Sequence, residues 1–182
     1  HTTSPAGAPL ASIDGTRALL ETRGEELLGD LLREIIEFKS AVQANFDVPV
    51  FVNPSDFPAG RFDPAKIVLK ANALGLSGVN LETELIKQNI RVEMADQDTV
   101  VFLATLADRA EEFAYLENKL VPILKSLQGP ARDTHTSLSW SVTPTYGTSI
   151  REAFFADTEF VKASDAIGRI SADLIAPYPP GV

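Results

Sequence analysis

The chain contains no cysteine, which removes disulfides, thiolate metal sites and thiol nucleophiles together and is compatible with a reducing compartment. It also lacks any apolar run approaching the ~18 residues of a membrane span. The opening residues HTTSPAGAP have neither the basic start nor the apolar centre of a signal peptide. A soluble, cytoplasmic protein with no membrane partner is expected. Positive charge is scarce as well. The net charge is -9 and the pI about 4.7, whereas nucleic-acid binding depends on clustered Lys and Arg, so no nucleic-acid partner is expected.

What is present suits a globular protein. Hydrophobic residues make up 45% and charged residues 23% of the 182 positions, too apolar for a disordered chain and enough for one ordinary core. The first residue, His1, is not a methionine, and the last five, Tyr178-Pro179-Pro180-Gly181-Val182, are turn-like. Both ends read as cuts in a longer chain.

Periodicity gives the coarse organisation. Leu27, Leu28, Leu31, Leu32, Ile35, Ile36 and Phe38 recur at helical spacing between charged residues, which predicts a helix over Glu25–Val42. A second helix is expected before it over Leu10–Thr22, with Gly24 at its C-terminal cap. The texture changes after Asn45, where a domain boundary is placed: residues 1 to 45 on one side, 46 to 182 on the other. Val48–Val52 reads as a short β-type run, residues 53 to 60 as a loop and Lys66–Ala71 as a strand. Leu81–Gln88 reads as a helix capped by Asn80 and ended by Asn89. Ile90–Met94 and Thr99–Leu106 suggest a hairpin around Asp96-Gln97-Asp98. Asp108 and Glu111 have capping-box spacing before a helix that runs to Leu127 through Pro122 and stops at Gly129-Pro130. Residues 133 to 149 read as loop. Ser149 and Glu152 repeat the capping-box spacing before a short helix, with candidate strands at Glu159–Lys162 and Leu174–Tyr178. The class is therefore α/β or α+β, with one mixed or antiparallel sheet covered by helices.

Three segments resemble the bacterial ornithine/lysine/arginine decarboxylases, which have the fold-type-I architecture of aspartate aminotransferase. His1-Thr2-Thr3-Ser4-Pro5 followed by Ala11-Ser12-Ile13-Asp14 is similar to that family's Thr-Ser-Pro segment and its next helix. Ser149-Ile150-Arg151-Glu152-Ala153-Phe154-Phe155-Ala156 resembles a Ser-Pro-Arg-Glu-Ala-Phe stretch. Gly168-Arg169-Ile170-Ser171-Ala172, leading into Pro177-Tyr178-Pro179-Pro180-Gly181, is the most specific match. The segments occur in the family's order along the whole chain.

The resemblance implies the carboxy-terminal portion of a pyridoxal-phosphate enzyme: residues 1 to 45 ending the large cofactor domain with its connecting helix, residues 46 to 182 forming an incomplete small domain. It implies removal of the α-carboxylate from lysine, arginine or ornithine, in a homodimer or larger homo-oligomer. The family's Schiff-base lysine, set in a Ser-x-His-Lys context, would lie upstream together with the missing amino-terminal domain, so no catalytic residue is named here. Cofactor-binding candidates are Thr2, Thr3 and Ser4, three hydroxyls before a helix whose N-terminal amides suit a phosphate dianion. The plainer reading makes Ser4 an N-cap with Pro5 at the first helical position. Gly7 and Pro9 depart from the family's pattern, and a proline at a fifth helical position would collide with the preceding turn, so a displaced first turn is expected.

Other residues carry structural readings beside functional ones. Arg169 suits a structural ion pair better than a substrate carboxylate, which a decarboxylase must let leave. His135, with only Asp133 near it in sequence, is read as solvated and not as a metal ligand. Glu93, Asp96 and Asp98 could meet a basic substrate's distal cation, but turn positions explain the aspartates. Two other functions stay open: a non-catalytic assembly or regulatory module of the same fold, and another fold-type-I enzyme such as an aminotransferase.

Overall fold

The computed structural model describes residues 6–135, 145 and 147–172. Thr2, Thr3 and Ser4, the strand expected at Leu174–Tyr178 and the Pro-Pro-Gly segment lie outside the described residues. The chain divides into two compact units, His1–His135 and Thr136–Val182.

The first unit opens with α1 (Gly7–Gln43), one helix of 37 residues where two were expected. Gly24 is not a cap; it is buried within the helix. A glycine costs an exposed helix interior about 1 kcal/mol relative to alanine, which is too little to end a helix carrying a well-packed face further on. The helix starts later than a Ser4 cap requires, with Ala6 as N-cap. Pro9 thereby falls in the first turn, where amide groups have no intrahelical acceptor and a missing N–H costs nothing.

The sheet has three antiparallel strands in the order β1-β3-β2: β1 (Lys66–Lys70), β2 (Met94–Ala95) and β3 (Thr99–Leu103). Lys66 pairs with Leu103 and Lys70 with Thr99, while Met94 and Ala95 pair with Val101 and Val100. The expected hairpin is present, with a first strand much shorter than Ile90–Met94. The Val48–Val52 run makes a single bridge, Phe51 to Leu69, supported by Val52 N–H to Val68 O at 2.9 Å and Lys70 N–H to Val50 O at 2.8 Å. It covers the outer edge of β1.

Two helices and the second half of α1 bury the sheet. Helix α2 (Gly78–Lys87) begins after Ser77, not Asn80. At its other end Asn89 adopts φ 59°. Its N–H reaches Ile86 O at 3.0 Å, and that of Ile90 reaches Leu85 O at 3.0 Å, a left-handed Schellman ending in which asparagine substitutes for glycine. Helix α3 (Ala110–Leu127) is capped at Arg109, whose N–H donates to the Glu112 carboxylate at 2.8 Å. The expected pair, Asp108 and Glu111, is displaced by one residue, because Asp108 accepts instead from Thr105 N–H at 2.6 Å and Thr105 Oγ1 at 2.9 Å. Phe38 of α1 is the junction, its ring 6.0 Å from Phe51 and 5.8 Å from Phe113. Leu31, Ile35, Phe38 and Val42 share one core with Leu69, Leu81, Val100, Leu120 and Leu124. A division at residue 45 thus cuts across a common core; the break in packing falls at residue 135.

In the second unit α4 (Ile150–Phe155) is capped as expected: Glu152 N–H donates to Ser149 Oγ at 3.2 Å and Ser149 N–H to the Glu152 carboxylate at 3.1 Å. Glu159–Lys162 is not a strand. No strand lies among this unit's described residues to pair with it, and an isolated extended segment has no ladder. The protein is α+β, a small antiparallel sheet covered by helices. No described helix is long and apolar enough to cross a membrane.

Candidate functional site

A polar assembly in the first unit lies where the β2–β3 turn, the start of α2 and the segment after α3 converge. The turn supplies a tertiary cap for α2: Gly78 N–H reaches Gln97 O at 3.3 Å and Val79 N–H reaches Asp96 O at 3.1 Å. The contact is so close that a Cβ on Gly78 would stand 2.2 Å from Thr99 O. Gly75, at φ +73°, is pressed against the later segment, where a Cβ would be 2.4 Å from Pro130 O. Asp96 organises the turn by accepting from Asp98 N–H at 2.8 Å and Thr99 N–H at 2.6 Å.

Asp98 is the only charged residue fully buried among the described residues, with 6% exposure. Its Oδ2 accepts the His135 N–H. Its Oδ1 has no hydrogen-bond partner but faces the Arg132 guanidinium at 3.6 Å. Arg132 Nη2 donates to Leu76 O at 2.5 Å and Gln97 O at 2.8 Å. The backbone of the same segment is held by Gly129 N–H to Leu74 O at 2.8 Å and Arg132 N–H to Asn72 O at 2.9 Å.

The residues singled out from the sequence are dispersed. Asp98 does meet a guanidinium, supplied by this chain. Asp96 serves its turn. The observed role of His135 is that of its backbone N–H, and among the described residues no three His, Asp or Glu side chains form a metal-sized cluster. Arg169 forms an ion pair with Glu159, the structural reading. The start of α1 is chemically bare: Ala6 offers no side-chain acceptor and the first turn has no acidic residue. Its amide groups are thus unmatched by any negative charge of their own turn.

Two features escaped sequence reasoning. Arg132 sits in a featureless post-helical run, and nothing local marks a partner 34 residues earlier. Lys39 is the other. Its ammonium donates to Val52 O at 2.8 Å and Asn53 Oδ1 at 3.2 Å and lies 5.5 Å from the Phe51 ring centre. Burial pushes it below the usual lysine range.

One surface stands out. The stripe of α1 that enters the core through Leu31, Ile35, Phe38 and Val42 continues toward the N-terminus through Leu27, Gly24, Leu20 and Ile13 at the same three- and four-residue spacing or its sum. Before Gly24 it is uncovered: Leu20 is 39% and Ile13 67% exposed, against 2% for Ile35.

No family model and no solved structure matches the chain. Curated proteins do. The chain is 29% identical over 192 aligned positions to a protein of Bacillus anthracis, 28% over 186 to one of Halalkalibacterium halodurans and 27% over 187 to one of Bacillus subtilis; in each case all of this chain is covered. All three are named arginine decarboxylase. The likeness is to arginine decarboxylases. The chain spans about 38% of the length of these arginine decarboxylases.

Proposed function

We propose that this chain is the carboxy-terminal portion of a pyridoxal-phosphate-dependent decarboxylase acting on arginine or another basic amino acid, working in the cytoplasm as a homodimer or larger homo-oligomer. The observation that carries the proposal is the end-to-end similarity to several proteins named arginine decarboxylase, each much longer than this chain. The uncovered half of α1 supports it, because an apolar stripe of this length in water is explained by a further body packed upon it. That body would be the cofactor-bearing domain, packed on the first half of α1, while the second half of α1 belongs to the core of the sheet unit.

Pyridoxal phosphate, when bound, supplies the electron sink that allows the α-carboxylate to leave as carbon dioxide. This chain's contribution is to hold the anionic end. Thr2, Thr3 and Ser4 provide hydroxyl donors a few residues ahead of α1 in sequence, and the bare amide groups at that helix start favour a dianion, with no carboxylate in the first turn to oppose it. The pairing of Arg169 with Glu159 also suits a decarboxylase, since an arginine clamped on the departing carboxylate would stabilise the ground state.

The test uses the full-length protein. Replacing Thr2, Thr3 and Ser4 together by alanine is expected to weaken retention of the cofactor on dialysis, read by its visible absorbance, at least about tenfold relative to the unsubstituted enzyme. Unchanged retention removes the phosphate-anchor assignment. Absence of cofactor from the full-length protein removes the decarboxylase reading itself.

A further inference from the structure

The geometry points to a small-molecule site in the groove between α1 and the connection over residues 53–64: it takes an organic carboxylate with an apolar body, the anionic end on the Lys39 ammonium and the body between Ile36 and Phe62. The site does not rest on the decarboxylase reading. The first observation is the space. The groove measures about 390 Å³, inside the range of about 300–1,000 Å³ usual for small-molecule sites. Leu32 and Ile36 of α1 line one side, and Pro54, Phe62 and Pro64 of the connection line the other. Ile36 is 64% exposed, so a ligand reaches the groove from solvent. The connection is already shaped. The Asn53–Asp56 capping box fixes the turn at Pro54, and the Phe57 ring backs Phe62 at 5.9 Å, which spares a ligand the cost of ordering its site.

The second observation is a charge that the chain leaves unbalanced. Lys39 is the one charged residue lining the groove. Two of its three donors go to neutral oxygens, Val52 O at 2.8 Å and Asn53 Oδ1 at 3.2 Å, and the Phe51 and Phe62 ring centres stand 5.5 and 5.9 Å away. The charged groups that act on it are Asp56 and Lys70. Asp56 is committed elsewhere: its Oδ2 lies 4.0 Å from the Lys70 ammonium and accepts the Asn53 N–H at 2.9 Å. Two cations thus share one carboxylate, in a chain whose net charge is -9. A cation drawn out of water without its opposite is costly, and burial accordingly holds the Lys39 ammonium below the usual lysine range. A ligand carboxylate supplies both the missing charge and an acceptor for the third N–H. The apolar walls favour a carbon body over an inorganic anion, and the ammonium disfavours an amine.

The experiment titrates the whole chain with octanoate, octanol and octylamine, probes that share one body and differ in the head, while NMR follows the Lys39 and Phe62 side chains. Octanoate should shift both resonances saturably and bind at least about tenfold tighter than octanol, the effect of roughly one charge-assisted hydrogen bond. Octylamine should bind weakest. Lys39→Gln should bring octanoate down to the level of octanol and leave octanol unchanged, whereas Ile36→Asn should weaken the two alike. Equal affinity for octanoate and octanol, undiminished octanoate binding in Lys39→Gln, or no saturable shift at Phe62 overturns the site. If Lys39→Gln does not fold, the order of the probes on the unsubstituted chain decides: octanoate first, with its shifts at Lys39 and Phe62, supports the site, and any other order overturns it.

Discussion

Single positions in this protein separate cleanly by what surrounds them. Gly78 and Asn89 bracket α2. Gly78→Ala forces a Cβ against Thr99 O and Asp96 O and should cost about 1–3 kcal/mol in urea denaturation. Asn89, at φ 59°, should lose roughly 1 kcal/mol on replacement by alanine and nothing or less on replacement by glycine. Glu152 gives a pH prediction. Hydrogen bonds from the Ser149 hydroxyl and N–H, and from Thr148, hold its carboxyl below the usual carboxylate range. A depressed carboxylate contributes stability that is present above its unfolded value and disappears as pH falls through the folded one. The α4 cap should therefore persist at pH 5 and weaken below the ordinary range of about 4.3, read by exchange of the Glu152 amide. Asn89 and the Ser149–Glu152 pair were legible in the sequence because each motif is complete within a few residues. The α2 cap was not: its acceptors are carbonyls of the β2–β3 turn, which no side-chain pattern encodes.

At the scale of elements, propensity and packing compete. Helix α3 contains Pro122, which is exposed, as is Asn118, whose carbonyl loses a donor to it. Solvent can serve that carbonyl, so the proline is tolerated, and Pro122→Ala should raise stability by about 1–3 kcal/mol in thermal melts. In α1 the competition runs along the helix. The half from Leu31 onward is fixed by core contacts, while the half before Gly24 rests on propensity and surface pairs such as Arg17 with Glu21 at 2.7 Å, each worth little in water. Gly24→Ala meets only Leu20 side-chain atoms at 3.7 Å and should add about 1 kcal/mol to helix formation, seen as a gain in far-UV dichroism. The two-helix expectation treated glycine as a stop; continuity of the stripe across it was the better guide.

On the scale of the whole molecule, the sequence pattern revealed the class and the order of elements, since helix and strand periods are local properties. Grouping was harder. The composition change after Asn45 is real, yet Phe38 joins both sides of it through Phe51 and Phe113, and tertiary contacts of that kind leave no local mark. The proposed site was legible only through resemblance, since its hydroxyls precede the described residues. If the chain is one portion of a decarboxylase, it should release no carbon dioxide from arginine, lysine or ornithine when assayed alone, whereas the full-length protein should do so with added pyridoxal phosphate. Activity from the isolated chain would contradict the division of labour proposed here.

The uneven anchoring of α1 has a practical consequence. Proteases act on segments that open, and opening is cheapest where few contacts must be broken. Arg17 and Arg23 both lie before the first core residue of α1, so brief trypsin treatment of the isolated chain should nibble its beginning back to the neighbourhood of Gly24 while sparing bonds around Phe38. A protein purified this way would show a ragged leading end in its mass spectrum, and the same bonds should resist cutting once the larger body is present.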